Sequence, residues 1–131
     1  EVLYGPFAFA DTHGNQNAFR LGADGWVYAN HGFRNESAVK LRGEGNVVLQ
    51  LNSGNTYRFR PDGSAIEQVT WGQVNPFGMA FDALGNRFNA DGHSRPLTLL
   101  LPGGRYQSAF ARPNLDYDDG LGKAPDTTAD R

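Results

Sequence analysis

Short apolar runs punctuated by turn residues fill this chain, and little of it keeps a helical period. The clearest example is the stretch 73–93. Gly78-Met79-Ala80-Phe81 is short and apolar, and Asp82-Ala83-Leu84-Gly85-Asn86 is turn chemistry with a glycine where a hairpin needs positive φ. Arg87-Phe88-Asn89-Ala90 then alternates, which predicts Arg87 and Asn89 outward and Phe88 and Ala90 inward. The same unit occurs earlier as Ala18-Phe19-Arg20-Leu21, a turn at Gly22-Ala23-Asp24-Gly25, and Trp26-Val27-Tyr28-Ala29. Gly85, Phe88 and Gly92 each lie 60 residues after Gly25, Tyr28 and Gly32, with no gap between. Such spacing marks a repeated supersecondary unit. Two unrelated hairpins sharing a common turn type is the other reading.

Between the two copies the alternation continues. Strands are expected at 56–60 and 65–71, joined by the Pro61-Asp62-Gly63-Ser64 turn. A further hairpin is expected at 38–51, inserted into the repeat. Residues 2–9 read as a strand, and the polar stretch Asp11 to Asn17 reads as a loop of the kind that carries sites. The first unit thus has four strands, at 18–21, 26–29, 56–60 and 65–71, and the second supplies 79–81, 87–90 and 96–101. Four-stranded antiparallel units in series predict an all-β fold of propeller blades, about two blades of an incomplete ring. A small stand-alone β-sandwich or meander is the alternative. The expected organisation is a partial propeller over 1–105, with blade units near 18–71 and 78–105, followed by an extended or disordered tail over 106–131.

Composition narrows the function classes. A chain of 131 residues argues for one domain at most, and 17 glycines with 39% hydrophobic residues fit an all-β chain rather than a disordered one. A net charge of −2 gives no electrostatic case for nucleic acid or anionic lipid. With no cysteine, disulfides, thiolate metal sites and cysteine nucleophiles within the chain are excluded. No apolar run is long enough for a membrane-spanning helix. Patterns for phosphate-binding loops, zinc-protease helices, nucleophile elbows and EF-hands are absent.

Several stretches resemble the six-bladed propellers of soluble sugar dehydrogenases that use pyrroloquinoline quinone, and their relatives in planctomycete-type bacteria classed as membrane-bound dehydrogenases. They are Asp11-Thr12-His13, Arg20 to Tyr28, Tyr57-Arg58-Phe59, Trp71-Gly72, Asn75-Pro76-Phe77-Gly78-Met79-Ala80-Phe81-Asp82, Gly85-Asn86, Gly103-Gly104-Arg105-Tyr106 and Asp119-Gly120-Leu121-Gly122. The likeness covers about 11–122. It implies a bacterial oxidoreductase, periplasmic or extracellular, acting on a sugar or other alcohol together with the remaining blades of its ring.

The resemblance also implies roles. The asparagine of the N-P-x-G turn touches the quinone, which places Asn75 in the cofactor site; an Asn capping its own turn is the structural reading. A histidine shortly before the first strand acts as general base. The family's spacing lands here on Gln16, which cannot serve, and His13 lies three residues upstream. Arg20 is either a clamp for a substrate or quinone carboxylate, or an inward charge paired with Asp91. Asp91-Gly92-His93 sits where the family's calcium loop falls, so Asp91 and His93 join Gln16, Arg20 and Asn75 as expected cofactor-binding residues, with His13 catalytic. Entry loops and second-strand exits are expected at one end of the sheets. Two functions follow: part of a quinone-dependent dehydrogenase, or a non-catalytic propeller that binds a glycan or protein through its loop face.

Overall fold

The computed structural model describes residues 1–92 and 96–106. Within them the chain is all-β, with β1 (Tyr4–Gly5), β2 (Asn17–Leu21), β3 (Val27–His31), β4 (Glu36–Leu41), β5 (Val47–Asn52), β6 (Gly54–Phe59), β7 (Ile66–Gln73), β8 (Pro76–Phe81), β9 (Arg87–Asp91) and β10 (Thr98–Leu100). A 3-10 turn at Thr12–Gly14 precedes β2. Three antiparallel sheets form, in the orders β1-β4-β5, β2-β3-β6-β7 and β10-β9-β8, and no barrel closes among the described residues. The four-stranded unit is the one its alternation and turns predict. No helix among the described residues is long and apolar enough to cross a membrane.

The repeat is real at the level of single hydrogen bonds. In the first hairpin Gly22 N–H donates to Trp26 C=O at 2.8 Å and Gly25 N–H to Gly22 C=O at 3.0 Å. In the second, 60 residues on, Asp82 N–H donates to Asn86 C=O at 3.0 Å and Gly85 N–H to Asp82 C=O at 3.1 Å. The turn glycines have φ +76° and +84°, which a Cβ would oppose. Strand registers match as well: Leu21 pairs with Val27 as Phe81 pairs with Arg87, and Arg20 with Tyr28 as Ala80 with Phe88. Each first strand carries a register shift near its start, at Asn17/Arg20 and at Pro76/Gly78.

The β4–β5 hairpin is inserted between β3 and β6, and it recruits β1, with Tyr4 opposite Leu41. This sheet covers one face of the four-stranded sheet. Ala29, Val39, Leu51 and Tyr57 form the buried core between them, with Phe7 stacked 5.5 Å from the Tyr57 ring. The opposite face meets the second unit through Tyr28, Val69 and Met79, flanked by Ala18, Trp26 and Phe81. Past β10 the chain returns to the edge of β7: Gly103 N–H donates to Val69 C=O at 2.8 Å and Tyr106 N–H to Trp71 C=O at 2.8 Å. Tyr106, the first residue of the expected tail, is buried; the rest of that tail lies outside the described residues.

One expectation is reversed. Arg87 and Asn89 point inward and Ala90 outward. Their face of β9 is pressed against the first unit, and the seam there is polar. Asn89 Nδ2 lies 2.9 Å from Asn30 Oδ1 and 3.1 Å from Gln73 Oε1, and Thr56 Oγ1 donates to Asn30 Oδ1 at 3.2 Å. Alternation reads which residues share a face but not which face is covered, and here the first unit supplies acceptors for the Asn89 Nδ2 and the Tyr28 ring for Arg87.

Candidate functional site

The loops that enter β2 and β8 and leave β3 and β9 lie at one end of the stacked sheets, as antiparallel pairing requires. The entry loop to β2 begins with the 3-10 turn. Asp11 caps it, accepting the His13 N–H at 3.0 Å. Asn35, fully buried, ties this turn to the exit of β3: its Oδ1 accepts Asp11 N–H at 3.0 Å, and its Nδ2 donates to the carbonyls of Asp11 at 2.8 Å and Gly14 at 2.9 Å. Gly32 N–H donates to Gly14 C=O at 3.2 Å. The two glycines touch backbone to backbone. A Cβ on Gly32 would stand 2.8 Å from Gly14 Cα and 2.7 Å from Asn75 Oδ1, and a Cβ on Gly14 would collide with the Phe33 carbonyl.

The entry to β8 joins the same frame. Asn75 Oδ1 accepts the Phe33 N–H at 3.1 Å. Asp91 accepts the N–H groups of Val74 at 2.9 Å and Asn75 at 3.1 Å, one on each carboxylate oxygen. His31, the counterpart of Asp91 in the first unit, is equally buried: its Nδ1 bonds to the Ser53 carbonyl and its Nε2 to Ser37 Oγ, both at 2.8 Å. Burial holds the His31 imidazole below its ordinary pKa. Since a carbonyl only accepts, Nδ1 carries the proton and Nε2 accepts from the Ser37 hydroxyl.

What this frame presents outward is a small charged set. The His13 side chain is 81% exposed, with its Nδ1 2.9 Å from Asp11 Oδ1. The backbone and ring bonds from His13 hold the Asp11 carboxyl below the usual carboxylate range, helped by the nearby Arg34. Arg34 is exposed, at φ +57°, with its guanidinium 4.9 Å from the centre of the Phe33 ring.

The expected site residues divide accordingly. Asn75, Asp91 and the turn bearing His13 are brought together through Gly14, Gly32 and Phe33. Gln16 lies on the same entry loop, and both polar atoms of its amide are enclosed without a hydrogen-bond partner among the described residues. Arg20 is not part of the end. It sits further along β2 opposite Tyr28, exposed, with Nη1 donating to the Phe19 carbonyl at 3.1 Å. The bulge at Ala18, φ +56°, absorbs a residue between Asn17 and Arg20, so any position counted back along this strand slips there. Nor does Arg20 pair with Asp91, which lies at the loop end opposite Pro76. His93 lies outside the described residues.

Among the described residues of this set, Asn75 Oδ1 and both Asp91 oxygens are engaged by backbone amides, Arg20 is remote, and the polar atoms of the Gln16 amide are enclosed. Among the described residues no three His, Asp or Glu side chains converge as a metal centre would require. Asn35 and Ser37 were not singled out in sequence, where residues 30–37 read as a loop. No curated protein and no solved structure matches the chain. A domain of unknown function, DUF7133, matches residues 1–121, and the chain belongs to that family.

Proposed function

We propose that the loop end is a binding face for a glycan or a glycan-bearing protein, presented by a propeller whose other blades complete the surface. One observation carries this reading. The polar groups that would serve a cofactor are turned inward to hold the loops, while Asp11, His13 and Arg34 are turned outward beside the Phe33 ring. A carboxylate, an imidazole and a guanidinium on one rigid rim offer the donors and acceptors that sugar hydroxyls need, and fixing the loops in advance lowers the entropy cost of binding. A periplasmic or extracellular location suits such a ligand.

A second reading is favoured by the Asp11–His13 pair. A carboxylate on Nδ1 orients the ring and leaves Nε2 as acceptor, the arrangement a general base needs to take a proton from an alcohol. In that reading the chain is part of a sugar or alcohol dehydrogenase, and the groups that hold a quinone-type cofactor come from elsewhere in the ring.

The test uses the full-length protein, its H13A and R34A variants, an oligosaccharide panel by calorimetry, and dye reduction with sugars and alcohols in the presence of pyrroloquinoline quinone. Saturable oligosaccharide binding, weakened about tenfold or more in R34A and unaccompanied by turnover, supports the first reading. Turnover lost in H13A replaces it with the second. Neither binding nor turnover overturns both.

A further inference from the structure

Between β5 and β7, which end their two sheets, lies an open cleft of about 460 Å³. That volume falls within the roughly 300–1,000 Å³ of small-molecule sites. Ser37 lines it and is buried, its hydroxyl accepting the Ala8 N–H at 2.9 Å and bonded to His31 Nε2 at 2.8 Å. Asn52, Gln68 and Trp71 line it half-buried, and Glu36 and Gln50 are exposed. Residues three apart on a regular strand face opposite ways, but the β6–β7 register slips between Thr56–Thr70 and Tyr57–Gln68, so Gln68 and Trp71 reach one cleft. Trp71 is clamped. Its N–H donates to the Gly104 carbonyl at 3.0 Å, its C=O accepts the Tyr106 N–H at 2.8 Å, and the Arg105 guanidinium carbon lies 5.1 Å from its ring centroid. The polar groups here contrast with those of the loop end. Among the described residues no hydrogen bond engages the Glu36 carboxylate, the Gln50 and Asn52 amides or the Trp71 Nε1–H. Gln68 is held through Nε2 alone, which donates to the Thr70 carbonyl at 3.2 Å and leaves Oε1 uncommitted. None of these unbonded atoms of Asn52, Gln68 and Trp71 is enclosed.

We propose that this cleft is a subsite for a short neutral saccharide. The indole and the amides select that class. A pyranose ring has a face of C–H bonds, polarised by the attached oxygens, that stacks on the negative face of an aromatic ring. Each of its hydroxyls both donates and accepts, and amide side chains offer both functions. An apolar ligand would desolvate the Asn52 and Gln68 amides without replacing their hydrogen bonds to water. An anionic ligand would meet Glu36, the only charged residue lining the cleft. Trp71 is already held by backbone bonds on both sides and Ser37 is already committed, so little has to be ordered on binding. The cleft shares no residue with the rim of Asp11, His13 and Arg34, and binding here does not depend on that rim.

The test is calorimetric titration of the full-length protein with maltose, cellobiose and lactose, and with digalacturonate as an anionic counterpart. The expected result is saturable binding of at least one neutral disaccharide and weaker binding of digalacturonate. The double variant N52A/Q68A weakens the neutral ligand about tenfold or more, R34A leaves it unchanged, and E36Q narrows the gap between the neutral and the anionic sugar. Circular dichroism checks the fold of each variant, and Q50A, at an exposed position, serves with the same expected direction if the double variant does not fold. Neutral-sugar binding that is lost in R34A and indifferent to N52A/Q68A overturns the cleft while leaving the rim as the binding face. Tighter binding of digalacturonate than of any neutral disaccharide, or no neutral binding at tens of millimolar, overturns it as well.

Discussion

Acidification should loosen the joint between the inserted hairpin and the first unit, and His31 is the group through which it acts. His31 is fully buried, and its ring joins three parts of the chain: β3 itself, Ser37 on β4, and the Ser53 carbonyl between β5 and β6. Its folded-state pKa is depressed below the ordinary 6.5 because burial disfavours the imidazolium. The unfolded chain therefore binds a proton that the folded chain resists. Stability is fully present above about pH 6.5 and falls as pH drops, until the folded group protonates in its turn. The loss reaches about 1.4 kcal/mol at pH 5.5 and up to about 2.7 kcal/mol at pH 4.5 for a ring that stays neutral in the fold. The carboxyls of Asp11, Asp24, Asp62 and Asp82, held below their usual range, add losses of the same sign as pH falls below about 4. Urea denaturation at pH 7.5, 6.5, 5.5 and 4.5, in wild type and H31Q, separates the terms, since the carboxylates cancel in the difference. That difference should shrink between pH 7.5 and 5.5, by at most about 1.4 kcal/mol. A difference that stays flat over this interval would refute the reasoning.

Other outcomes follow from single contacts. Replacing Tyr57 with Phe removes a hydroxyl that is buried without a hydrogen-bond partner among the described residues, and should leave stability unchanged or raise it by up to about 1 kcal/mol in urea titration. N75A deprives the Phe33 N–H of its acceptor and should cost about 1–3 kcal/mol by the same assay. G25A and G85A should each cost about 1–2 kcal/mol and by matching amounts, because their turns are copies of one another; a large inequality would count against the repeat.

The sequence made the repeat legible because each copy turns on a glycine at positive φ, a local requirement written in a few letters. The β4–β5 insertion was legible for the same reason. The pairing of Tyr4 with Leu41, and of the 103–106 segment with β7, left no local trace, since long-range strand partners are chosen by packing. Asn75 was read as a cofactor contact or a cap on its own turn; its Oδ1 instead accepts the Phe33 N–H, 42 residues away, a partner no local pattern signals. His13 and Asp11 lie two residues apart and are bonded in space; the count back from β2 to Gln16 crosses a bulge, and Arg20, read as a clamp or an inward charge, is exposed opposite Tyr28. The polar face of β9 misled for a plain reason: Arg87 and Asn89 look solvated until the first unit is stacked upon them.

The polar seam bears on how copies of a repeated unit keep their order. At equivalent positions the first unit has Ala29-Asn30 and the second Asn89-Ala90, so the amide faces forward in one and backward in the other. Asn89 meets Asn30, Thr56 and Gln73 only when the second unit follows the first. The backward face of the first unit, with Ala29, offers no such acceptors and takes the apolar β1-β4-β5 sheet instead. Two similar blades joined by oily faces could trade places or pair with a neighbouring chain's copy. Here each unit carries an address: stacking in the wrong order would strand amides in an apolar layer, so the chain spends polar groups on telling its own copies apart.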